Sequence, residues 1–347
     1  MIIEAIRKVV DRQDLTRDEA FSVMDAIMSG QATDAQIAAF LTALRMKGET
    51  VEELIGFARV MREKVSFVKT RGRVQTSLSD TGREMLVDTC GTGGDATGSF
   101  NVSTATAFVV AGAGIPVAKH GNRSVSSLCG SADVVEALGV RLDVPPDRVG
   151  KCIDEVGIGF CYAPLLHKAM KYVMLARKEI RIRTVFNILG PLTNPAKASA
   201  QVIGVYDGKL TEVMAEVLKE LGTVRAFVVH GEDGLDEIST TCESRVAELR
   251  DGWMRSYTIR PEDFGLPRAG MADLRGGSAA DNAEIIRRIL QGERGPKRDI
   301  VVLNAGAAIA AGGKATEIAE GIGLAQQAID SGAALGALNR LVAFCQG

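Results

Sequence analysis

The sequence predicts a small N-terminal all-helical domain on a larger α/β domain with a central, mostly parallel sheet. Amphipathic segments with helix-start signals fill the first 65 residues, and short apolar strands alternate with helical stretches from Met85 onward. A chain of 347 residues is long enough for about two domains. We therefore assign residues 1–68 to the α domain, 69–84 to a linker and 85–347 to the α/β domain.

Three capping boxes mark helix starts in the α domain. In each, a threonine is followed three residues later by Glu or Gln, so that each side chain can accept a hydrogen bond from the other residue's backbone N–H. The pairs are Thr16 with Glu19, Thr33 with Gln36, and Thr50 with Glu53. Short helices bury little surface by themselves, so we expect this domain to pack on the rest of the chain or on a second copy.

The stretch from 69 to 84 is rich in Thr, Ser, Gly and Arg, a composition typical of a linker or loop. Beyond it, short apolar strands are predicted at 85–87, 115–118, 202–206 and 225–229. The basic segment 165–183 is predicted to be a helix that crosses back to the α domain, before a turn-rich connection from Phe186 to Pro195. Helical patterns resume at 279–291, 299–311 and 315–345.

Charge and cysteine usage exclude several classes of protein. The net charge of -2 argues against a general nucleic-acid binder or a membrane-surface protein. The N-terminal stretch contains Glu4 and no long apolar run, so we expect a cytoplasmic protein. The six cysteines are far apart without a CxxC pair, which suggests neither a zinc site nor a disulfide framework.

The clearest binding features of the chain lie between residues 88 and 138. Gly91, Gly93 and Gly94 follow a predicted strand, and glycine backbone lets N–H groups approach an anion closely. A helix is predicted to begin near Asn101, and its N-terminus would add N–H donors and a positive dipole. The sequence therefore predicts a phosphate-ester site at the end of this strand.

Cationic and polar side chains follow the next predicted strand, at the same edge of the sheet. Lys119 and Arg123 supply positive charge suited to phosphate, and Asn122 can both donate and accept hydrogen bonds. His120 is a candidate for proton transfer, although a single histidine is more often a packed residue. Ser131 can cap the following helix or contact phosphate. Further hydroxyl donors are Ser124, Ser126 and Ser127.

A dinucleotide site is the first alternative for the glycines, because residues 91–96 fit the loose pattern GxGxxA. That fingerprint expects an acidic residue about 20 positions further on, and residues 105–118 contain none. A Walker-type GxxxxGK[ST] is also absent from the sequence. A purely structural glycine turn is disfavoured by the polar residues clustered beside it, which are Asp95, Asn101, Ser103 and Thr104.

Acidic residues indicate a metal beside the phosphate. Asp95 would repel a polyphosphate unless it accepted hydroxyl hydrogens or met a cation. Ser103 can ligate Mg²⁺ through its hydroxyl, and Asp236 and Glu237 offer two adjacent hard oxygen ligands in the loop after the 225–229 strand. That dipeptide is also typical of a solvated acidic loop. Its place after a strand favours a ligand site, because open α/β sheets bind ligands there.

The motifs GTGGD, NVST, KHGNRS, GSADV, LGPLTNPA and DE, in this order and at these spacings, resemble the anthranilate phosphoribosyltransferase family. The resemblance runs through nearly the whole chain and is densest between residues 88 and 140. It implies an α domain on an α/β domain, a homodimer joined through the α domains, and an active site at the hinge. It also implies transfer of the phosphoribosyl group of 5-phosphoribosyl-1-pyrophosphate (PRPP) to anthranilate, with Mg²⁺.

The resemblance implies a role for individual residues. Anthranilate would be bound by Gly91, Asn122 and Arg177, with His120 nearby, and the metal by Ser103, Asp236 and Glu237. Other charges near Arg177 are expected to be solvated. The PRPP residues would be Gly91, Gly94, Asp95, Ser99, Asn101, Val102, Ser103, Thr104, Lys119, His120, Gly121, Asn122, Arg123, Ser124, Val125, Ser126, Ser127 and Ser131.

Some positions depart from the family's usual pattern. Leu166 and Lys168 flank His167 where the family commonly has histidine or tyrosine and proline, and Arg181 stands where glycine is usual. Residues 242–244 are Cys-Glu-Ser where Gly-Pro-Thr is common, and the 69–84 loop looks longer than usual. These departures concern the anthranilate channel more than the PRPP site.

Two other functions are considered. A pyrimidine nucleoside phosphorylase would share the architecture and handle a ribose phosphate, but it would carry a different lysine–histidine–serine signature in place of KHGNRS. A non-catalytic paralogue that binds nucleic acid would need a basic surface, which the near-neutral charge does not favour.

Overall fold

The structure, a computed structural model, describes residues 1–70, 85–93, 97–124 and 129–347. Within these residues the strands form one seven-stranded sheet in the order β3-β2-β1-β4-β5-β6-β7. The first five strands in this order pair in parallel, and the β5–β6 and β6–β7 pairs are antiparallel, so the predicted mostly parallel sheet is confirmed. The strands are β1 (Val87–Gly91), β2 (Val117–Gly121), β3 (Ile158–Tyr162), β4 (Ala200–Gly204), β5 (Arg225–Gly231), β6 (Ser244–Arg250) and β7 (Trp253–Ile259).

The N-terminal segment forms the predicted helical domain. Its helices are α1 (Ile2–Val10), α2 (Arg17–Met28), α3 (Asp34–Lys47) and α4 (Val51–Lys64). All three predicted capping boxes are present, with the threonine side chain and the Glu or Gln three residues later each accepting from the other's backbone. Each box satisfies two N–H groups that the first helical turn would otherwise leave unpaired.

The remaining helices cover both faces of the sheet. They are α5 (Val102–Gly112), α6 (Ser131–Ala137), α7 (Pro146–Val156), α8 (Ala163–Leu166), α9 (Met174–Ile180), α10 (Val185–Leu192), α11 (Leu210–Glu220), α12 (Ala279–Leu290), α13 (Pro296–Ala311), α14 (Ile318–Asp330) and α15 (Ala333–Gln346). Short 3-10 helices occupy Lys168–Tyr172, Pro261–Phe264 and Met271–Leu274. No helix in the described part of the chain is both long and apolar enough to cross a membrane.

Two hydrophobic cores lie on opposite faces of the sheet. One joins α5, α13 and α14 to β1 and β2. The other joins the helical domain to β4 and β5, so that Phe40 and Phe57 belong to the same buried cluster as Ile203 and Val228. The phenylalanine rings meet edge to face, with centroids 6.1 Å apart. The α domain therefore packs on the α/β domain, as the small core of short helices led us to expect.

The structure corrects two local predictions. The segment 165–183 is not one helix, because it breaks into α8, a 3-10 helix and α9; it nevertheless reaches the helical domain, where α9 contacts α3. The connection predicted between Phe186 and Pro195 contains α10, which includes Pro191. Pro191 lacks the backbone N–H that would pair with the Asn187 carbonyl one turn earlier, and the helix ends at the next residue, Leu192.

The predicted strands also shift along the chain. The first and second begin two residues later than expected and extend to Gly91 and Gly121, so Lys119 and His120 lie inside β2 rather than after it. Strands β3, β6 and β7 are absent from our prediction. Strand β7 is the exposed edge of the sheet and therefore lacks the continuous apolar run by which the buried strands were recognised.

Candidate active site

The ends of parallel strands converge on the loop that carries the acidic pair. Gly91 ends β1 and Gly204 ends the neighbouring β4, and Asp236 lies against both. A Cβ atom at Gly91 would overlap the carboxylate of Asp236, and one at Gly204 would overlap its carbonyl oxygen. Both positions therefore require glycine for close approach, and the acidic loop is held directly over the strand ends.

Each acidic side chain accepts a hydrogen bond from a backbone N–H of the predicted phosphate region. The Gly93 N–H donates to Asp236 Oδ2 at 2.8 Å, and the Ser103 N–H donates to Glu237 Oε1 at 3.1 Å. Ser103 lies in the first turn of α5, where unpaired N–H groups and the helix dipole favour an anion. The predicted metal residues Ser103, Asp236 and Glu237 are thus brought together.

Lys119 places a buried positive charge beside this group. Its side chain is only 3% exposed, and its ammonium donates to the Thr89 carbonyl and, at 3.3 Å, to Ser103 Oγ. The Thr89 hydroxyl in turn donates to the Ser103 carbonyl at 2.9 Å. Strand β1 therefore ties together the start of α5 and the end of β2, which fixes the lysine beside the Ser103 hydroxyl.

Polar residues around the next strand end support one another. The Asn122 N–H donates to Ser131 Oγ at 3.2 Å, and Gly121 lies so close to that hydroxyl that a Cβ there would overlap it. Asn101 donates to the Cys129 carbonyl at 3.2 Å and accepts from Asn282 at 3.0 Å. Asn101, Asn122 and Ser131 are therefore held at one edge of the sheet, as the sequence predicted.

Arg123 is oriented by acidic residues of α6. Its guanidinium bonds Asp133 at 2.8 Å and Glu136 at 2.9 Å and remains substantially exposed. The hydrogen bonds that the guanidinium donates to Glu136 and Asp133 raise the pKa of the arginine. The Ser124 N–H also donates to Asp133 at 3.2 Å. A phosphate contact by Arg123 would have to compete with this pair.

The other predicted site residues divide into three groups. Ser99 forms an isolated bridge with Arg275, and Val102 is buried. Thr104 is also buried, and its hydroxyl has no hydrogen-bond partner within the part of the chain that the structure describes. The residues that lie outside the described part are Gly94, Asp95, Val125, Ser126 and Ser127, as is most of the 69–84 linker.

His120 faces a second histidine that our sequence analysis noted only for its neighbours. His120 and His167 are 8% and 6% exposed, and their Nε2 atoms lie 3.2 Å apart. Burial, with a smaller effect from His167 and Lys119, lowers the pKa of His120 well below its usual value. Burial lowers the pKa of His167 to about 4. Both rings are therefore neutral at pH 7, and His120 is poorly suited to hold a proton there.

A buried carboxylate fixes the backbone of this histidine. Asp88 is fully buried and accepts from the His120 N–H at 3.1 Å and from Asn194 Nδ2 at 2.7 Å. Burial raises the pKa of Asp88, while Lys119 and the Asn194 hydrogen bond oppose that shift. The second Asn194 Nδ2 proton bonds the Ala118 carbonyl at 2.9 Å. The LGPLTNPA motif therefore fixes the end of β2.

Arg177 is partly buried rather than solvated. Its guanidinium lies 5.3 Å from the centroid of the Phe186 ring, and burial lowers its pKa. Phe186 belongs to α10, whose Gly190 backbone also interacts with His120. Arg177 and His120 thus flank the same helix, although they come from different layers of the protein. This arrangement favours a role for Arg177 in the cleft.

The donor set fits a hard divalent cation that is partly ligated by protein. Two carboxylates and a hydroxyl provide oxygen ligands, and no group of three His, Cys, Asp or Glu side chains able to hold a metal occurs among the described residues. Mg²⁺ prefers such partial ligation, with waters and phosphate oxygens completing its octahedron. The residues that the structure describes therefore suit magnesium better than a zinc-type cage.

Residues that sequence analysis missed fix the acidic loop in place. Asp233 accepts from Ser239 Oγ at 2.6 Å and from Leu235 N at 3.1 Å, and Ser239 N donates to Ser244 Oγ at 2.8 Å. Ser244 thus supplies a hydroxyl at the position where the family commonly has threonine. Asn304 of α13 bonds the backbone of Ile238. The sequence signal that could have identified Asn304 is a polar residue inside the apolar run IVVLNAGAAIAA.

Comparison with known proteins gives matches over the whole chain. A family model described as the α/β domain of a glycosyl transferase family matches residues 83–335, and its helical bundle domain matches residues 3–65. An anthranilate phosphoribosyltransferase of Geotalea uraniireducens (strain Rf4) is 58% identical over 99% of both chains.

Solved structures agree with the sequence matches. The anthranilate phosphoribosyltransferase of Thermus thermophilus superimposes with a TM-score of 0.91 at 44% identity over 99% of both chains. The Saccharomyces cerevisiae enzyme in complex with PRPP and Mg superimposes with a TM-score of 0.88 at 26% identity, over 99% of this chain and 98% of that chain. This chain therefore belongs to the anthranilate phosphoribosyltransferase family of glycosyl transferases.

Proposed function

We propose that this protein transfers the phosphoribosyl group of PRPP to the amino group of anthranilate, giving N-(5-phosphoribosyl)anthranilate and pyrophosphate in tryptophan biosynthesis. The observation that carries the proposal is the meeting of Asp236 and Glu237 with the Gly91 strand end and the start of α5. Acidic metal ligands and backbone anion donors at one point suit a diphosphate that carries Mg²⁺. Family membership supplies the identity of the two substrates.

We assign the metal to Ser103, Asp236 and Glu237. When bound, Mg²⁺ would offset the negative charge that grows on the departing diphosphate. The buried ammonium of Lys119 acts on the same side, because it lies within hydrogen-bonding distance of Ser103. PRPP would contact the remaining PRPP residues predicted from the sequence, including those of the segments that the structure does not describe.

Anthranilate would bind on the other side of the ribose. Arg177 can pair with its carboxylate, and Asn122 and Gly91 border the strand ends where the amino group must arrive. An arylamine is already neutral at pH 7, so the reaction needs no strong base. The lowered pKa of His120 agrees with this, because a ring that is hard to protonate is a weak base. Positioning and electrostatics then lower the barrier, with inversion at the anomeric carbon.

We also propose a homodimer joined through the helical domains. Helix α3 contacts both α1 and α9, and each of these three helices exposes large apolar side chains. The exposed side chains are Ile3, Val10, Met46, Met174 and Leu175. Light scattering should give twice the mass of the chain, and Val10→Glu with Met174→Glu should give monomers.

We place the enzyme in the cytoplasm, since all six cysteines are free thiols.

The decisive experiment follows anthranilate fluorescence in the presence of PRPP and Mg²⁺, with each component omitted in turn. Loss of fluorescence that requires all three components supports the proposal. Phosphate-dependent cleavage of pyrimidine nucleosides without any loss of anthranilate would instead identify a nucleoside phosphorylase. Salt-dependent DNA binding without turnover would identify a nucleic-acid-binding paralogue.

A further inference from the structure

Helix α13 carries one amide side chain inside the core that bonds the acidic loop. Asn304 is 1% exposed, and its neighbours along the helix, Leu303 and Ala305, are fully buried. A primary amide placed in such surroundings destabilises the fold unless its donors and acceptor are paired. The hydrogen-bond partners of Asn304 therefore indicate why a polar residue occupies this buried position.

Those partners are the two polar groups of one residue's backbone. Asn304 Oδ1 accepts from the Ile238 N–H at 2.9 Å, and Nδ2 donates to the Ile238 carbonyl at 2.9 Å. The second Nδ2 proton bonds the Ile300 carbonyl at 2.8 Å, one turn earlier in α13. The side chain is thus fixed to its own helix while it pairs with residue 238 as a neighbouring strand would.

Ile238 directly follows the acidic pair, so this pairing sets the position of the metal ligands. Leu235 and Ile238 are buried on either side of Asp236 and Glu237, and the Leu235 carbonyl accepts from Gly231 N at 2.9 Å. One end of the four-residue bridge is therefore held by β5 and the other by Asn304. Between these ends, the acidic residues reach Gly93 and Ser103.

We propose that Asn304 is a positioning residue for the metal site, acting through the Ile238 backbone on Asp236 and Glu237. The inference rests on the function proposed above, because it assigns the acidic pair to Mg²⁺. Asn304 touches neither substrate nor metal. Its contribution is to hold two carboxylates in the arrangement that the cation needs before it arrives, which lowers the cost of assembling the site.

The test compares Asn304→Asp with the wild type. Aspartate keeps the acceptor for Ile238 N but loses both donated bonds and repels the Ile238 carbonyl. We expect the Mg²⁺ concentration for half-maximal activity to rise about 10-fold, within the range typical of residues that orient metal ligands. The KM for anthranilate should stay within about 2-fold. Asn304→Ser, a smaller neutral change, should shift the metal dependence in the same direction.

Binding without turnover gives a second readout. The affinity for Mn²⁺ in the presence of PRPP, measured from the decrease in the resonance signal of the free ion, should fall by the same factor in Asn304→Asp. Hydrogen exchange of the 233–240 peptide in the metal-free protein should be faster. Gln201→Met is the matched control, because it removes a buried bond of 2.8 Å to the Pro191 carbonyl away from this loop.

The outcomes separate the two proposals. A wild-type protein without Mg²⁺-dependent turnover of anthranilate would overturn the proposed function. An active wild type whose metal dependence, Mn²⁺ binding and 233–240 exchange are unchanged in folded Asn304→Asp would overturn the positioning role alone. Equal weakening of metal binding in Gln201→Met would also overturn it, because the effect would then follow from general loss of stability.

Discussion

The Nε2 atoms of His120 and His167 lie 3.2 Å apart inside the protein, so the two rings can share only one proton between them. With both rings neutral, one Nε2–H donates and the other nitrogen accepts. A second proton would place two donors against each other in a buried space. The pair therefore links the end of β2 to the segment after α8 as long as one of the two Nε2 atoms stays unprotonated.

This pair predicts a loss of stability in acid. The folded pKa of His167 is about 4, below the unfolded value of about 6.5, so the unfolded chain binds more protons between these values. Stability present above pH 6.5 should therefore be lost as the pH falls toward 4, by up to about 3 kcal/mol for this group.

Urea unfolding at pH 7 and pH 4.5 measures this loss. His167→Gln should show a smaller difference between the two pH values than the wild type, because one of the two buried imidazoles is gone. His230→Gln is a control for removing a histidine elsewhere, since its Nδ1 lies 2.7 Å from the Val205 carbonyl. An identical pH dependence in the wild type and His167→Gln would contradict the prediction.

The acidic pair should control the dependence on metal. Replacing Asp236 and Glu237 with alanine removes two hard oxygen ligands, so turnover should fall by about 100-fold or more and Mg²⁺ titration should flatten. The measurement is the initial rate against Mg²⁺ concentration at saturating PRPP. Glu232→Ala removes a carboxylate from the same loop that pairs with Arg245 on the surface, and it should leave the titration unchanged. Unchanged titrations in the double variant would refute the assignment.

Arg177 should discriminate between the two substrates. Arg177→Ala removes the proposed partner of the anthranilate carboxylate, so the KM for anthranilate should rise about 10- to 100-fold, as expected for loss of a charge-assisted hydrogen bond. The KM for PRPP should change little. Lys178→Ala removes the neighbouring exposed charge and serves as the control. Equal effects of Arg177→Ala on both KM values would rule out the proposed role.

Arg181 is predicted to be strained. It ends α9 in the left-handed conformation with φ of 52°, and a side chain there costs about 1 kcal/mol or more relative to glycine. Arg181→Gly should therefore raise the free energy of unfolding by about 1 kcal/mol. Lys178→Gly, inside α9, should lower it by a similar amount. Urea midpoints decide between these outcomes, and destabilisation by Arg181→Gly would show that the side chain makes compensating contacts.

Local chemistry made much of the fold predictable. The capping boxes at Thr16, Thr33 and Thr50 require only residues three positions apart, so their signal is complete in the sequence. Four of the five parallel strands were recognised because both of their faces are apolar, whereas β3 was missed although it is buried. The break between α8 and α9 was not, because α8 ends at His167 rather than at the glycine that usually marks a helix end.

The sequence by itself predicted a glycine-rich anion site with cationic and acidic residues near the ends of neighbouring strands. These features are local, since each motif follows a strand and parallel strands end at one edge. Only the tertiary structure decided which residues meet: Asp236 over Gly91, His167 against His120, and Asn304 behind the acidic loop. Such contacts join segments far apart in the chain, and packing of the sheet against its helices sets their distances.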